Sequence, residues 1–305
     1  MFMILLLHAN FLAFDFTTDY SVVSFFRCLA EAFTLTPVNI FVLITGFFGT
    51  SFSSRKVLSL VFQVFFCVVP ISLLFLALGV IDFDYHDFVF HKYWFINSYL
   101  GLLVLTPVLN AAVDIFSKKD FTWFLSIFYV VIFLSFRFGL EGIQIEEGYS
   151  LIWFIFLYLL GRYLRLYSPA LSRVQLIAIL LVSCLCKTLY IFIFHECGYV
   201  DPFIVIQSVS TLLLFSKFDI KSNFINSVAA STTMVYLINL HPVIWPMIKT
   251  CLWTLYQSYD MAIFLVLTIL LCAVIFIIAI VYDKLRIYAW KLISSHVSED
   301  YDIRF

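Results

Sequence analysis

The chain has 305 residues, of which 64% are hydrophobic and only 12% are charged, and its mean hydropathy is +1.06. So few polar groups could not cover the surface of a soluble domain of this length, which excludes a soluble globular protein. The net charge of −1 argues against a nucleic-acid partner, which would need a clustered basic face. We interpret the seven cysteines as small hydrophobic residues, and we predict neither a disulfide nor a metal site.

Apolar segments separated by short polar connections run along the whole chain. A bilayer core of ~30 Å takes about 20 apolar residues per helix, so the sequence predicts an all-α polytopic membrane protein with about ten transmembrane helices. The predicted spans are Met1 to Phe14, Val38 to Phe52, Val57 to Ile81, Tyr93 to Val113, Phe121 to Phe136, Tyr149 to Leu164, Val174 to Phe194, Pro202 to Phe215, Val228 to Ile248 and Met261 to Tyr282.

Three of these segments have distinctive features. The first is short for a span, so we expect the natural reading frame to extend upstream of Met1. The ninth is interrupted by His241 and Pro242, which predicts a break in its helix. We interpret Asp15 to Thr36, before the second span, as a polar and aromatic connection.

Basic residues fall mostly on alternate connections, which predicts the orientation. Both termini are therefore expected to be cytoplasmic, with acidic loops outside at Asp82 to Lys92, which carries His86 and His91, and at Arg137 to Gly148. We divide the chain into a transmembrane domain, residues 1–282, and a cytoplasmic tail, residues 283–305, that could lie along the inner membrane surface. On the predicted inner side are 13 of the 18 basic residues: Arg55, Lys56, Lys118, Lys119, Arg162, Arg165, Arg173, Lys217, Lys221, Lys284, Arg286, Lys291 and Arg304.

Polar groups inside apolar segments are the first places to look for chemistry. His8, among leucines, can stay neutral and act as a base, or can serve as a hydrogen-bonded link between helices, and the residues alone favour neither. Asn39 needs a hydrogen-bond partner, and a structural amide is its simpler interpretation. Lys187 is expected to snorkel toward water, which would make Lys187→Met nearly silent.

Several segments resemble the acyltransferase 3 family of membrane O-acyltransferases that modify glycans. VNIFVLITGFF followed by SRK is similar to the family's second-helix signature, with Thr45 where the family usually has serine. YWFINSYLGLLVLTPVLN, YSLIWFIFLYLLGRYLRLY and the segment from Asp201 to Trp245 resemble its later helices in the same order. LLLHA, which contains His8, resembles the pattern around the family's functional histidine. The nearest branch is that of bacterial polysaccharide O-acetyltransferases.

The resemblance implies the transfer of an acyl group, in particular acetyl, from acyl-CoA to a hydroxyl of a cell-surface polysaccharide or its lipid-linked precursor. It implies a multi-pass protein of the cell inner or plasma membrane that needs no metal. It makes His8 the catalytic base, and an arginine that the family carries earlier on the first helix would precede Met1. The family often has histidine where this chain has Asn239, and His241 follows two residues later, which weakens a catalytic role for His241.

The remaining site residues follow from this mechanism. Arg55, Lys56, Arg162 and Arg165 would bind the phosphates of acyl-CoA on the cytoplasmic side. Asn39 or Thr45 could donate to an oxyanion, and the aromatic residues Tyr93, Trp94 and Tyr99 could stack on a sugar ring. Aromatic residues are also common where a helix meets the membrane surface, which is the alternative interpretation of these three.

Two other functions remain open from the sequence. A glycan flippase or transporter would carry charged residues along a path through several helices, but the predicted spans are nearly free of charge apart from His8 and Lys187. A glycan polymerase would be expected to have a large external loop, and no predicted external connection is much longer than about two dozen residues. The acyltransferase is the preferred hypothesis.

Overall fold

The computed structural model describes residues 1–14, 19–82, 84, 93–140 and 145–294. Within this part of the chain the secondary structure is helical, without strands, which confirms the all-α prediction. The helices are α1 (Phe2–Leu7, continued by a π-helical turn, His8–Leu12), α2 (Val22–Thr34), α3 (Thr36–Phe48), α4 (Ser54–Ala77), α5 (Trp94–Ile115), α6 (Lys118–Phe138), α7 (Leu151–Leu166), α8 (Arg173–Phe194), α9 (Pro202–Phe215), α10 (Asn223–Ala229), α11 (Thr232–Asn239), α12 (Ile244–Ser258) and α13 (Met261–Ser294).

Short polar residues set where the helices begin. A serine hydroxyl accepts a hydrogen bond from a backbone N–H in the first turn of α4, α6, α7 and α8, and so satisfies a donor that has no partner within the helix. Asp201 does the same for α9, where Pro202 then occupies the first helical position. Serine and aspartate residues that can be recognised in the sequence thus mark the N-terminal ends of these helices.

Among the described residues, six helical segments are long and apolar enough to cross a membrane, and a seventh is added if α10–α11 and α12 form one span bent by 78°. One of the six joins α2 and α3 as Val22–Phe48, while Phe2–Leu12 and Pro202–Phe215 are apolar but shorter. Large apolar side chains face outward along these helices, for example Val130 (51% exposed), Leu181 (64%) and Ile278 (56%). Such exposed apolar surface is what a bilayer would cover.

The helices form two compact units. The first contains Met1–Asp15, Ser53–Tyr93 and Lys221–Tyr301. In it, α13 packs against α1, α4, α11 and α12, and α11 also packs against α1 and α4. This arrangement surrounds α11 with helices, and every residue from Met234 to Asn239 is buried.

The second unit contains Phe16–Phe52 and Trp94–Ile220. Helix α3 lies at its centre, packed against α7 and α9, while α8 packs on α2 and α9. Gly46 and Gly161 bring α3 and α7 into backbone contact, because a β-carbon at Gly46 would lie 2.1 Å from the carbonyl oxygen of Tyr158. The glycine in the second-helix signature therefore has a packing role.

The structure differs from the sequence-based prediction at α2 and at the proposed domain boundary. The segment read as a connection before α3 is largely the amphipathic helix α2, capped by Ser21. Helix α13 runs without interruption to Ser294, so the proposed domain boundary at residue 282 falls inside a helix. His86, His91 and residues 295–305 lie outside the described part of the chain.

The expectation for Lys187 was wrong, because this side chain does not snorkel. It is 1% exposed, and its Nζ atom lies 3.0 Å from the Oδ2 atom of Asp201 and 3.3 Å from the carbonyl oxygen of Glu196. Asp201 lies in the short connection before α9, so the buried charge has a partner that helical spacing does not reveal.

Candidate functional site

His8 is buried in the first unit, at the point where α1 widens into a π-helical turn. Its Nδ1 atom is hydrogen-bonded to the side-chain amide of Asn239, at the end of α11, and the Trp245 ring lies edge-on to the imidazole at 6.1 Å. Single π-helical turns inside α-helices are often found at functional sites. Asn239 therefore contacts His8 directly, although the two residues lie in different helices.

The hydrogen bond from Asn239 controls which nitrogen of His8 could act as a base. With the amide nitrogen of Asn239 directed at Nδ1, a neutral imidazole carries its proton on Nε2 and is a donor there. If the amide turns by 180°, its oxygen accepts from Nδ1–H and leaves Nε2 with a lone pair for proton abstraction. The pair can therefore present either a donor or a base at Nε2.

His241 is held by backbone groups of the same unit. It is fully buried, its Nδ1 atom accepts from the backbone N–H of Val243 at 3.2 Å, and its Nε2 atom lies 3.3 Å from the carbonyl oxygen of Val68. The first bond satisfies a backbone group at the break between α11 and α12, and the second joins this break to α4. The arrangement supports the view that His241 is structural.

Asn39 has structural partners on both sides of its amide. In the second unit, its Nδ2 atom donates to the carbonyl oxygen of Tyr199 at 2.9 Å, and its Oδ1 atom accepts from Trp153 Nε1 at 3.0 Å. The side chain is 0% exposed. One N–H of the amide and its oxygen are thus bonded to groups of the protein in a fully buried position, so the geometry favours the structural interpretation.

A series of polar side chains lies along one side of α3, toward its C-terminal end. The Thr45 and Tyr99 hydroxyls are 3.2 Å apart. Further along, the hydroxyl of Tyr158 donates to Asn110 Oδ1 at 2.7 Å, and Asn110 Nδ2 donates to the carbonyl oxygen of Thr50 at 2.9 Å. Thr45 and Tyr99 were predicted from the sequence as site residues, whereas Tyr158 and Asn110 were not, because a tyrosine and an asparagine in apolar segments carry no signal of their own.

Arg162 and Arg165, in the last turn and a half of α7, both lie against the end of α3. Gly49, with φ +72°, gives Arg162 room, because a β-carbon there would lie 2.7 Å from an Nη atom of its guanidinium. The Nε atom of Arg162 is buried and has no hydrogen-bond partner among the described residues. Arg165 is exposed and stacks on the Phe47 ring at 5.3 Å. The structure thus brings together two of the four cationic residues predicted to bind acyl-CoA.

The other two cationic residues, Arg55 and Lys56, belong to the first unit. They lie in the first turn of α4, which the Ser53 hydroxyl caps, and both are exposed. Each has interactions within the protein, so neither is an isolated charge.

The predicted aromatic sugar-binding residues differ in their surroundings. Tyr93 is 0% exposed and its hydroxyl donates to the carbonyl oxygen of Leu237, so its ring is core in the first unit. Trp94, in the second unit, is half-buried among the rings of Tyr149, Phe154 and Tyr199. Tyr99 stacks on Phe95, with ring centroids 5.9 Å apart. Trp94 and Tyr99 therefore keep partly accessible surfaces, whereas Tyr93 does not.

No protein-family model, curated protein or solved structure matches this chain.

Proposed function

We propose that this protein is a membrane O-acyltransferase that moves an acyl group, in particular acetyl, from acyl-CoA to a hydroxyl of a cell-surface polysaccharide or its lipid-linked precursor. The observation that carries the proposal is the His8–Asn239 pair: an imidazole buried in an apolar helix, at a π-helical turn, with one ring nitrogen held by an amide. A base oriented through its second nitrogen is the usual arrangement for proton abstraction by histidine.

In the proposed reaction, the Asn239 amide is turned so that its oxygen accepts from Nδ1–H of His8, and Nε2 then removes the proton of the glycan hydroxyl as the hydroxyl oxygen attacks the thioester carbonyl. The carbon–sulfur bond then breaks, and the His8 imidazolium gives its proton to the sulfur, so that CoA leaves as a thiol and His8 is neutral again. Asn239 orients the imidazole without contacting the substrate.

Arg162 and Arg165 bind phosphate groups of the donor. The buried, unpartnered Nε atom of Arg162 supports this role, because a guanidinium offers several donors that match phosphate oxygens. Thr45, Tyr99, Tyr158 and Asn110 provide hydroxyl and amide groups for polar parts of a substrate, and Trp94 provides an aromatic surface.

The proposal includes the finer topology. We propose ten spans with both termini in the cytoplasm of a cell inner or plasma membrane, because the basic residues alternate correctly across all ten predicted segments. Six of these segments overlap the long apolar helices described above, and the other four contain α1, α7, α9 and the bent pair of α10–α11 with α12.

The test is acetyl transfer by purified His8→Gln protein, with radiolabelled acetyl-CoA and a panel of de-O-acetylated bacterial polysaccharides. Loss of general-base catalysis is expected to lower the rate about 10²–10⁴-fold per folded protein. His241→Gln is the matched control, because it alters another buried histidine. It should lower thermal stability while leaving transfer per folded protein nearly unchanged.

Two results would contradict the proposal. If His8→Gln keeps most of the wild-type transfer rate, His8 is a structural link between α1 and α11. If the wild-type protein transfers no label to any polysaccharide and does not bind acetyl-CoA, the acyltransferase function itself is wrong.

A further inference from the structure

Four helices of the second unit enclose a groove that the proposed reaction does not use. It has a volume of about 450 Å³, within the range of ligand-binding sites, and opens at exposed residues that include Thr122, Ser126 and Pro169. Residues of α6, α7, α8 and α9 line it, together with the connection between α7 and α8. On α9 the lining extends from Val205 to Leu213, which is about 12 Å of helix at 1.5 Å per residue.

The side chains that line the groove are mostly apolar. Its walls include Leu125, Phe156, Leu160, Ile179 and Val209.

The hydroxyl groups at the groove are largely bonded within the protein. Thr122 and Tyr163 pair with each other at 2.9 Å, Ser126 donates to the carbonyl oxygen of Thr122, and Tyr129 donates to that of Val200. A polar ligand would find few unsatisfied partners here, so the wall chemistry favours a hydrocarbon chain.

One end of the groove is strongly basic. Helices α6 and α8 begin there and α7 and α9 end there, with Thr122, Tyr163, Leu171 and Leu213 among the lining residues nearest those ends. The exposed cationic residues at these ends are Lys118, Lys119, Arg165, Arg173 and Lys217. The acidic residues nearby are fewer, namely Asp114 at the end of α5, Asp120, which is bonded to the Ser117 hydroxyl, and Asp219.

Two of these cationic residues are held in place beside the groove. Lys118 lies over the Tyr167 ring, with its Nζ atom 5.5 Å from the ring centroid. Arg173 stacks on Phe218 at 4.7 Å and donates to the carbonyl oxygen of Lys217 at 2.8 Å. Among the described ion pairs, none includes Lys118 or Arg173, so their charge is available to an anionic group.

We propose that this groove binds an anionic phospholipid of the surrounding membrane, with one acyl chain along α6 and α9 and the phosphate headgroup at Lys118 and Arg173. The apolar walls match the chain, and the basic end supplies the complementary charge for the headgroup. Basic pockets between transmembrane helices on the cytoplasmic side are known to bind anionic headgroups, and the basic-residue rule places this end in the cytoplasm. The site does not depend on the proposed acyl transfer.

The test is native mass spectrometry of the full chain in detergent, titrated with phosphatidylglycerol or with phosphatidylcholine of the same acyl chains. We expect one phosphatidylglycerol to be retained in preference to phosphatidylcholine. The double variant Lys118→Gln/Arg173→Gln removes the two positive side-chain charges proposed to bind the headgroup. It should weaken phosphatidylglycerol binding roughly thirtyfold. Ser126→Phe, which places an aromatic ring in the groove from an exposed position, should weaken binding of both lipids.

Matched controls separate site effects from general ones. Lys249→Gln/Lys291→Gln removes two exposed charges outside this unit, and Ile127→Phe adds a ring to α6 at a residue that does not line the groove. Both controls should bind phosphatidylglycerol as the wild-type protein does. Equal retention of the two lipids by the wild-type protein, or wild-type binding by either site variant, would overturn the proposal.

Discussion

Lys187 and Asp201 form a charge pair that is almost completely removed from solvent, with side-chain exposures of 1% and 9%. Removing two charges from water is costly, so such a pair is tolerated only when each charge has its partner and further hydrogen bonds. Lys187 also donates to the carbonyl oxygen of Glu196, and Asp201 also accepts from the backbone N–H of Phe203. The pair therefore ties the C-terminal half of α8 to the start of α9.

We predict that Lys187→Met is strongly destabilising, in contrast to the near-silent change expected from sequence. Breaking a buried pair leaves an uncompensated charge and costs about 3–5 kcal/mol. Thermal unfolding in detergent measures the effect. The double variant Lys187→Met/Asp201→Asn should regain much of the stability, because it removes both charges and keeps the oxygen that caps α9.

The exposed pair between Arg137 and Glu196 is the control for this prediction. Their side chains are 44% and 45% exposed, so Arg137→Met should change the unfolding temperature only slightly. If Lys187→Met melts as the wild-type protein does, the buried pair contributes nothing to stability and our reading of this contact is wrong.

At the scale of elements, the contact between α3 and α7 organises the second unit. A β-carbon on Gly161 would lie 2.5 Å from the carbonyl oxygen of Leu43 and 2.8 Å from the backbone nitrogen of Phe47. These neighbours are backbone atoms, so they cannot move without separating the helices. The same contact positions Arg162 and Arg165 against the end of α3, which links packing to the proposed donor site.

We predict that Gly161→Ala destabilises the protein by about 1–3 kcal/mol or more, the range for overpacking, and weakens acetyl-CoA binding. Gly101→Ala is the matched control, because the added methyl group would meet only the Leu151 side chain, at 3.0 Å, which can rotate away. Unfolding temperature and acetyl-CoA affinity should be measured for both. Wild-type behaviour of Gly161→Ala would mean that the two helices need not lie so close.

At the scale of the whole molecule, the distribution of charge predicts which side of the membrane each connection faces. Leu140 lies in the predicted external loop, and Lys119 begins a helix on the predicted internal side. Both residues are exposed, so a cysteine at either position can be labelled without unfolding.

We predict that a membrane-impermeant maleimide labels Leu140→Cys in intact cells but labels Lys119→Cys only after permeabilisation. The background should carry Cys251→Ser, because Cys251 is the naturally exposed cysteine among those described. The opposite pattern of labelling would reverse the orientation, and labelling of both from outside would place the two ends of α6 on the same side.

The sequence by itself determined the features that depend on local chemistry. Apolar length and the scarcity of charge predicted an all-helical chain with membrane-spanning segments, because backbone groups in a bilayer must bond within a helix. The break at His241 and Pro242 was also predictable, because proline cannot continue the hydrogen-bond ladder, and the structure bends there by 78°. Helix α2 was missed because its amphipathic pattern is less apolar than a spanning helix, although Ser21 provided the cap signal.

Only the tertiary structure decided which polar groups meet. The partners of Asn39, His8 and Lys187 are 160, 231 and 14 positions away in the chain, and no local spacing rule reaches across such separations. Packing of whole helices brings Asn239 to His8 and Asp201 to Lys187, and it makes Asn39 a satisfied structural amide. The sequence could place each of these residues in an apolar segment, but the three-dimensional contacts determine whether it is a base, a buried ion or a link between helices.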